Sequence, residues 1–541
     1  MSCAPRPGGN ADRSRFELYQ PVTPRPGSRW LLDTLVPPSR LFSSNGIRWG
    51  PDGCLWISEF NGEQVSGWDP STDTLTIRSA MGSVLKGPDD IAFDAAGGYY
   101  VAETMNARVT GRRADGEYVV LLDDAPGANG ITVDPSTDQL YVDEMREGGR
   151  VLKVDHTRPG AYEVLAEGLA WCNAMEVSPT GELCLPQVFA GTVLAIDLAT
   201  LDIRILTDEL QLPTAVKFDD RGRLVVSEAG AGELTAIDLE TNTRETLARP
   251  GPGIDNFCFD PAGQLYLSNY CEAKVEQYVD GRLGRVLSPG GLIGPYQIAA
   301  AGSDALVVAD ANSIVSIGPD RRLDRLTRLL VDQAFVVVGL ARIGPDLLAL
   351  SGAGDVFSIR PGQPIVKVIE ATGDSTSQYL STARAGASAV GSDDGTGLVA
   401  LVSGDIVEMS ADGQTHAVTA SGLAAISAVD RSRGLLVACD EDAGDIVIIG
   451  PEGTRRVGGL ARPQAIAVGP DGVFVAEVGS RQVSWLSPDG ARREVVCDDL
   501  PLGMPVPGVE HTRRCSLAHL GDGRVAVGCD GDGSIRVVRR S

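Results

Sequence analysis

Six oxygen-bearing side chains recur at one repeat phase in the first half of the chain: Asn45, Asp89, Asn129, Asn173, Thr214 and Asp255. Their spacings are 44, 40, 44, 41 and 41 residues. Hard cations such as Ca²⁺ take about six to eight oxygens from carboxylates, amides and water, and need no His or Cys. Asn45, Asp89, Asn129, Asn173 and Asp255 are therefore the expected metal ligands. Turn capping accounts readily for one or two such Asn and Asp residues. It accounts less well for six at one phase, although it stays open as the alternative.

A second set follows one strand later: Glu59, Glu103, Glu144, Gln187, Glu228 and Asn269. Converging carboxylates repel unless a cation or hydrogen bonds compensate them. Anchoring of the next hairpin is the structural alternative for the whole set. Glu103 and Glu144 are singled out to face the mouth, because Met105, Met145 and Arg146 beside them can line a mixed pocket. Histidine is scarce: His156, His416, His511 and His519 are the full complement, and His519 is expected to be packing. A Ser-His-Asp device is hard to build from that supply. Hydrolysis then has to rest on metal-activated water and a carboxylate base, with Asp255 or Asp89 as base and Glu103 and Glu144 in support.

These residues sit in a repeat that runs along nearly the whole chain. Units begin SNGIRWGPDGCLWISEF at Ser44, PDDIAFDAAGGYYVAET at Pro88 and ANGITVDPSTDQLYVDEM at Ala128. Further units begin at Cys172, Pro213 and Ile254. Each has an alternating strand, a hairpin rich in Asp, Pro and Gly, a continuously apolar strand and two more strands. A four-stranded propeller blade needs about 40–45 residues. From Pro295 the period continues in decayed form for about six more units. The predicted fold is all-β, with two tandem six-bladed propellers of four-stranded antiparallel blades.

The predicted division is a Pro- and Gly-rich arm at 1–28, a first propeller at 29–294 and a second at 295–541. The last unit stops after its third strand, so the spare strand near Arg29–Val36 is expected to complete a blade in one ring or the other. Matching positions of the second ring, Tyr296, Gly339, Ala425, Gln464 and Ser516, are mostly small or neutral.

The pattern x-N-G-I-x-x-D-P-x-G-x-L-Y-V-x-E resembles the superfamily of SMP-30/gluconolactonase, strictosidine-synthase-like and NHL-repeat propellers. The resemblance covers residues 42–294 well and 295–541 loosely. It implies a divalent metal, often Ca²⁺, held by acids and amides at the starts of innermost strands. The matching positions are Asn45, Asp89, Asn129, Asn173 and Asp255. The family's opening acid, in an E-x-P-x-W context, has no counterpart, and Asn45 takes its slot. The implied activity is metal-dependent hydrolysis of a small lactone or ester. Lyase, cyclase or isomerase chemistry in the same pocket, and a non-catalytic interaction platform, are the alternatives.

Composition narrows the partners. A net charge of −25 over 541 residues repels phosphate backbones, so no nucleic acid is expected. No apolar run approaches a membrane span. The N-terminus lacks an apolar signal region, and ten cysteines without metal spacing fit free thiols in a reducing, cytoplasmic setting.

Overall fold

The computed structural model describes residues 29–80, 84–328, 336–360, 363–371, 387–392, 396–423, 426–503 and 515–541. The arm expected at 1–28, Ala425 and His511 lie outside them. Among the described residues the strands form twelve four-stranded sheets, and the helical pieces are two 3-10 turns, Thr104–Asn106 and Tyr270–Glu272. Eleven sheets are contiguous in sequence, with antiparallel neighbours in chain order. They are blades 1–6 at 44–79, 91–122, 128–170, 176–207, 213–248 and 254–289, then blades 7–11 at 295–328, 337–369, 387–420, 426–457 and 463–497.

Blade 12 is assembled from both ends of the chain. Its strands Ser516–His519, Val525–Cys529 and Ser534–Arg540 are completed by Trp30–Val36, which pairs antiparallel with Ser534–Arg540. The chain divides into two compact units, and Trp30–Val36 belongs to the second. The first unit's described part runs from Arg40 to Gly291, so the strand whose ring the sequence left open goes to the second unit. The reason is the edge left open by the three-stranded last unit, which the N-terminal strand covers.

Each unit is a six-bladed propeller. In each, innermost strands touch their sequence neighbours, and the first touches the last. The second strand of a blade is buried along all of its length, as in Leu55–Glu59, Tyr99–Glu103 and Leu224–Glu228, or all but its ends, as in Glu182–Gln187. That is why these strands are continuously apolar: both faces are covered by adjacent blades. The core is a set of layers between blades, one of which joins Tyr100, Val109, Ile131 and Leu152. Cys172, Cys184, Cys258, Cys497, Cys515 and Cys529 are free and buried, and Cys271 and Cys439 are buried as well. Cys54 is disulfide-bonded, a departure from the free thiols expected.

The feature that positions the site is a β-bulge in the innermost strand. In blade 1 Ser44 pairs with Glu59 and Ile47 with Ile57, so Asn45 and Gly46 together face Ser58. Asn129 and Gly130 likewise face Asp143, and Asp255 and Asn256 face Ser268. The bulge breaks the ladder and re-aims the side chains. The Gly46 N–H, released from its own sheet, donates to the Asp89 carbonyl of the next blade at 2.8 Å. A Cβ on Gly46 would lie 2.6 Å from Asp90 Cα and 2.7 Å from the Asp89 carbonyl oxygen, so the close approach demands glycine.

Gly46→Ala is therefore expected to destabilise the first propeller by about 1–3 kcal/mol through backbone overpacking. Denaturant unfolding measures it. An unshifted midpoint would remove the close approach as the reason for the Asn-Gly pair.

Candidate functional site

Each of the six phase-matched residues stands at its blade's bulge or an equivalent irregular start, and five are buried: Asn45, Asp89, Asn129, Asn173 and Thr214. Asp255 is partly buried. Two of the six are committed to local bonds. Asn173 Oδ1 accepts the Ala174 N–H at 2.6 Å. The Thr214 hydroxyl pairs with the Ser227 hydroxyl at 2.9 Å and donates to the Ile254 carbonyl at 3.3 Å. Asn45, Asp89 and Asp255 form one electrostatic group. Asn45 hydrogen-bonds Asp89, and Asp89 repels Asp255. Thr104 Oγ1 donates to Asp89 Oδ2 at 3.0 Å. The side-chain oxygens of Asn45 and Asn129 are buried and accept no hydrogen bond. The amide of Asn129 donates to Met145 Sδ at 3.2 Å, which brings Met145 to the mouth.

Two further carboxylates join this group. Asp90 accepts from its own blade at Ile91 N (2.9 Å) and from blade 6 at Asn256 Nδ2 (3.3 Å). Asp143 accepts the bulge N–H of Gly130 at 3.1 Å, and its other oxygen has no donor. The motif P-Asp89-Asp90 was visible in the sequence, but Asp143 was missed. Its signal is positional: the residue before each member of the second-strand set is Ser58, Ala102, Asp143, Pro186, Ser227 and Ser268. Five are small or cyclic and one is an acid.

Burial raises all four carboxyls above their ordinary range, and repulsion from neighbouring carboxylates adds to it at Asp89, Asp143 and Asp255. For Asp89 burial pushes the value up to about 7, against donation from Thr104. Asp90 is raised by burial despite the opposing cations Arg48 and Lys217. No group of three or more His, Cys, Asp or Glu among the described residues has a metal-holding arrangement. A cation at this layer would thus rest on amide and carboxylate oxygens together: Asn45, Asp89, Asn129 and Asp255.

Glu103 and Glu144 do not join the axial group. Glu144 is fully buried between Arg146 and Arg150, with Arg146 Nη2 at 2.6 Å and Arg150 Nε at 3.0 Å. Glu103 accepts from Arg108 Nε at 2.5 Å. Their ring-mates act alike: Glu59 accepts from Phe42 N at 3.0 Å, and Glu228 from Gln211 N at 2.9 Å and Thr235 Oγ1 at 2.6 Å. Successive strand residues point to opposite faces, so Asp143 meets the bulge while Glu144 ties loop to third strand.

At the other end of the innermost strands the first propeller holds a cavity of about 510 Å³. It lies among Arg48, Glu176 and Lys217, with Trp49, Phe218 and Phe259 on its walls. These three charged residues were not foreseen. They follow Asn45, Asn173 and Thr214 by three residues, in a register that elsewhere holds Ala92, Thr132 and Cys258.

In the second propeller the strand register places Val338 rather than Gly339 at the matching phase, because Val337 pairs with Ser351 as Ser44 pairs with Glu59. Ser427 takes the place assigned to Ala425, because Ile426 pairs with Asp440. Small apolar residues on both sides hid the register. His519 lines a cavity of about 290 Å³ there, and its Nδ1 accepts the Gly521 N–H at 3.1 Å.

No protein-family model matches the chain, and no curated protein matches it. Among solved structures it is similar to a virginiamycin B lyase from Staphylococcus aureus with quinupristin. That likeness has 12% identity and a TM-score of 0.36, and covers 59% of this chain and 95% of that one. A gluconolactonase from Xanthomonas campestris is similar at 18% identity and a TM-score of 0.37, over 49% of this chain and 96% of that one. A nidogen/laminin complex is similar at 18% identity and a TM-score of 0.35, over 40% and 92%. The fold given above rests on sheet order and ring closure, not on these overlaps.

A carboxyl raised on folding favours the native state below its unfolded value, and that contribution is lost as pH rises through the folded value. The first propeller should therefore lose about 1–3 kcal/mol between pH 5 and 8 in divalent-free buffer. Asp89→Asn should flatten that slope in thermal unfolding. An identical slope in the variant would remove Asp89 from the titrating group.

Proposed function

We propose that the first propeller binds a hard divalent cation, Ca²⁺ foremost, at the axial start of its innermost strands and there hydrolyses a small lactone or ester. One observation carries this reading. Two buried amide oxygens without donors, on Asn45 and Asn129, share a layer with the mutually repelling Asp89 and Asp255. Buried acceptors and buried like charges are both costly, and an oxygen-seeking cation relieves both at once. Asn45, Asp89, Asn129 and Asp255 would hold it. Such a cation supplies Lewis-acid polarisation of an acyl carbonyl and lowers the pKa of water.

The chain's own residues supply the rest. Thr104 and Asn45 fix the Asp89 carboxylate by hydrogen bonds. Asp255, the more exposed of the two acids, is the group placed to take a proton from an attacking water. Met145, against the Asn129 and Asn173 amides, gives the mouth an apolar side for a substrate ring.

Calorimetric titration with Ca²⁺ tests the reading. The wild-type chain should bind one equivalent tightly at the first propeller, and Asp89→Asn with Asp255→Asn should weaken binding at least about 100-fold. A panel of small lactones and aryl esters should be turned over with Ca²⁺ and lose at least about 100-fold in rate on chelation. Undiminished Ca²⁺ binding in the double variant would sink the ligand assignment. Turnover indifferent to chelation would sink the mechanism while leaving the cation site.

A further inference from the structure

The cavity at the hairpin end of the first propeller is separate from the axial acid layer and opposite to it in charge. Its floor is a chain of three ions. Lys217 Nζ lies 3.0 Å from Glu176 Oε2, and Arg48 Nη1 lies 3.9 Å from the same oxygen. Two cations thus face one carboxylate across the floor, with Asp90 behind them on the axial side. Arg48 Nη2 donates to the Ile131 carbonyl at 3.3 Å, which fixes the guanidinium. Two donors beside it have no acceptor: Arg48 Nε and the Trp49 indole N–H, both buried.

Lys217 is 7% exposed, so this is a built, desolvated cation and not a surface lysine. On the rim, Asp134 is consumed by its own hairpin, accepting from Ser136 N at 2.8 Å, Ser136 Oγ at 2.7 Å and Thr137 Oγ1 at 2.7 Å. The walls are apolar: Trp49, Val177, Phe218 and Phe259. A cavity of about 510 Å³ falls in the range that encloses small molecules.

We propose that this cavity binds a small organic carboxylate with an apolar body, its carboxylate taken by Arg48 and its body laid against Phe218 and Phe259. Arg presents a planar fork that suits carboxylates. Glu176 holds Lys217 in place and excludes a second anion. The site is independent of the cation layer, so its ligand is a second substrate or an effector of the first propeller.

Calorimetric titration of the full chain with phenylacetate, benzoate and hexanoate, each against its neutral amide, tests this. At least one carboxylate should bind, and its amide should bind at least about tenfold more weakly. Arg48→Met should weaken the carboxylate at least about tenfold. Ser136→Trp, which fills the rim and leaves every floor residue intact, should abolish binding and keeps the test valid if Arg48→Met fails to fold. Asp89→Asn should leave it unchanged, which separates this site from the cation layer. Failure of all three carboxylates to bind, equal binding of an amide, or binding indifferent to Ser136→Trp would each overturn the proposal.

Discussion

The break in register on the innermost strands governs the first propeller. At each break two residues of the inner strand oppose one of its neighbour, and the backbone groups set free are used between blades instead of within them. Gly46 N–H reaches the Asp89 carbonyl, Val216 N–H the Ala174 carbonyl at 3.1 Å, and Ser268 Oγ the Asn45 carbonyl at 2.6 Å. Those bonds close the ring without a shared sheet. They also force the residue after Asn45, Asn129, Asn173 and Thr214 to be small, as Gly46, Gly130, Ala174 and Ala215, because the next backbone passes where a side chain would stand.

Because the bulge turns Asn45, Asp89, Asn129 and Asp255 out of their own ladders, the ring that holds the fold together also gathers unsatisfied oxygens. Blades 2, 3 and 6 contribute four carboxylates, Asp89, Asp90, Asp143 and Asp255, whose repulsion is a cost of folding unless protons or a cation meet it. Further along the same strands the charge reverses at Arg48 and Lys217. The first propeller is thus polarised along its inner strands, acids at their start and bases near their end. Either end alone is unusual for a structural core, where ions are rarely buried without function.

The second propeller shares the architecture without the acids at the starts of its inner strands. Its matching inner positions hold Tyr296, Val338, Ser427, Gln464 and Ser516, and its second-strand acids serve the fold. Asp310 accepts Ile293 and Gly294 N–H at 2.7 and 2.8 Å, and Glu477 accepts Ala461 N–H at 2.8 Å. Glu59, Glu103, Glu144 and Glu228 do the same work in the first propeller. An acid at that phase belongs to the blade, whereas an acid at the bulge belongs to the axis.

The sequence by itself determined the blades. A period near 40 residues, Asp-Pro-x-Gly hairpins and continuously apolar second strands leave no other way to bury so much two-faced sheet. It also placed Asn45, Asp89, Asn129 and Asp255 at one phase, since equivalent positions in a closed ring must meet. Only the tertiary structure decided which side chains at that phase remain available, because Asn173 and Thr214 spend their oxygens on neighbours that no spacing reveals. It alone turned Glu144 outward and Asp143 inward, since one residue of register reverses the face. It alone brought Trp30–Val36 to Ser534–Arg540, because an open sheet edge can be closed by any free strand, and distance along the chain does not say which.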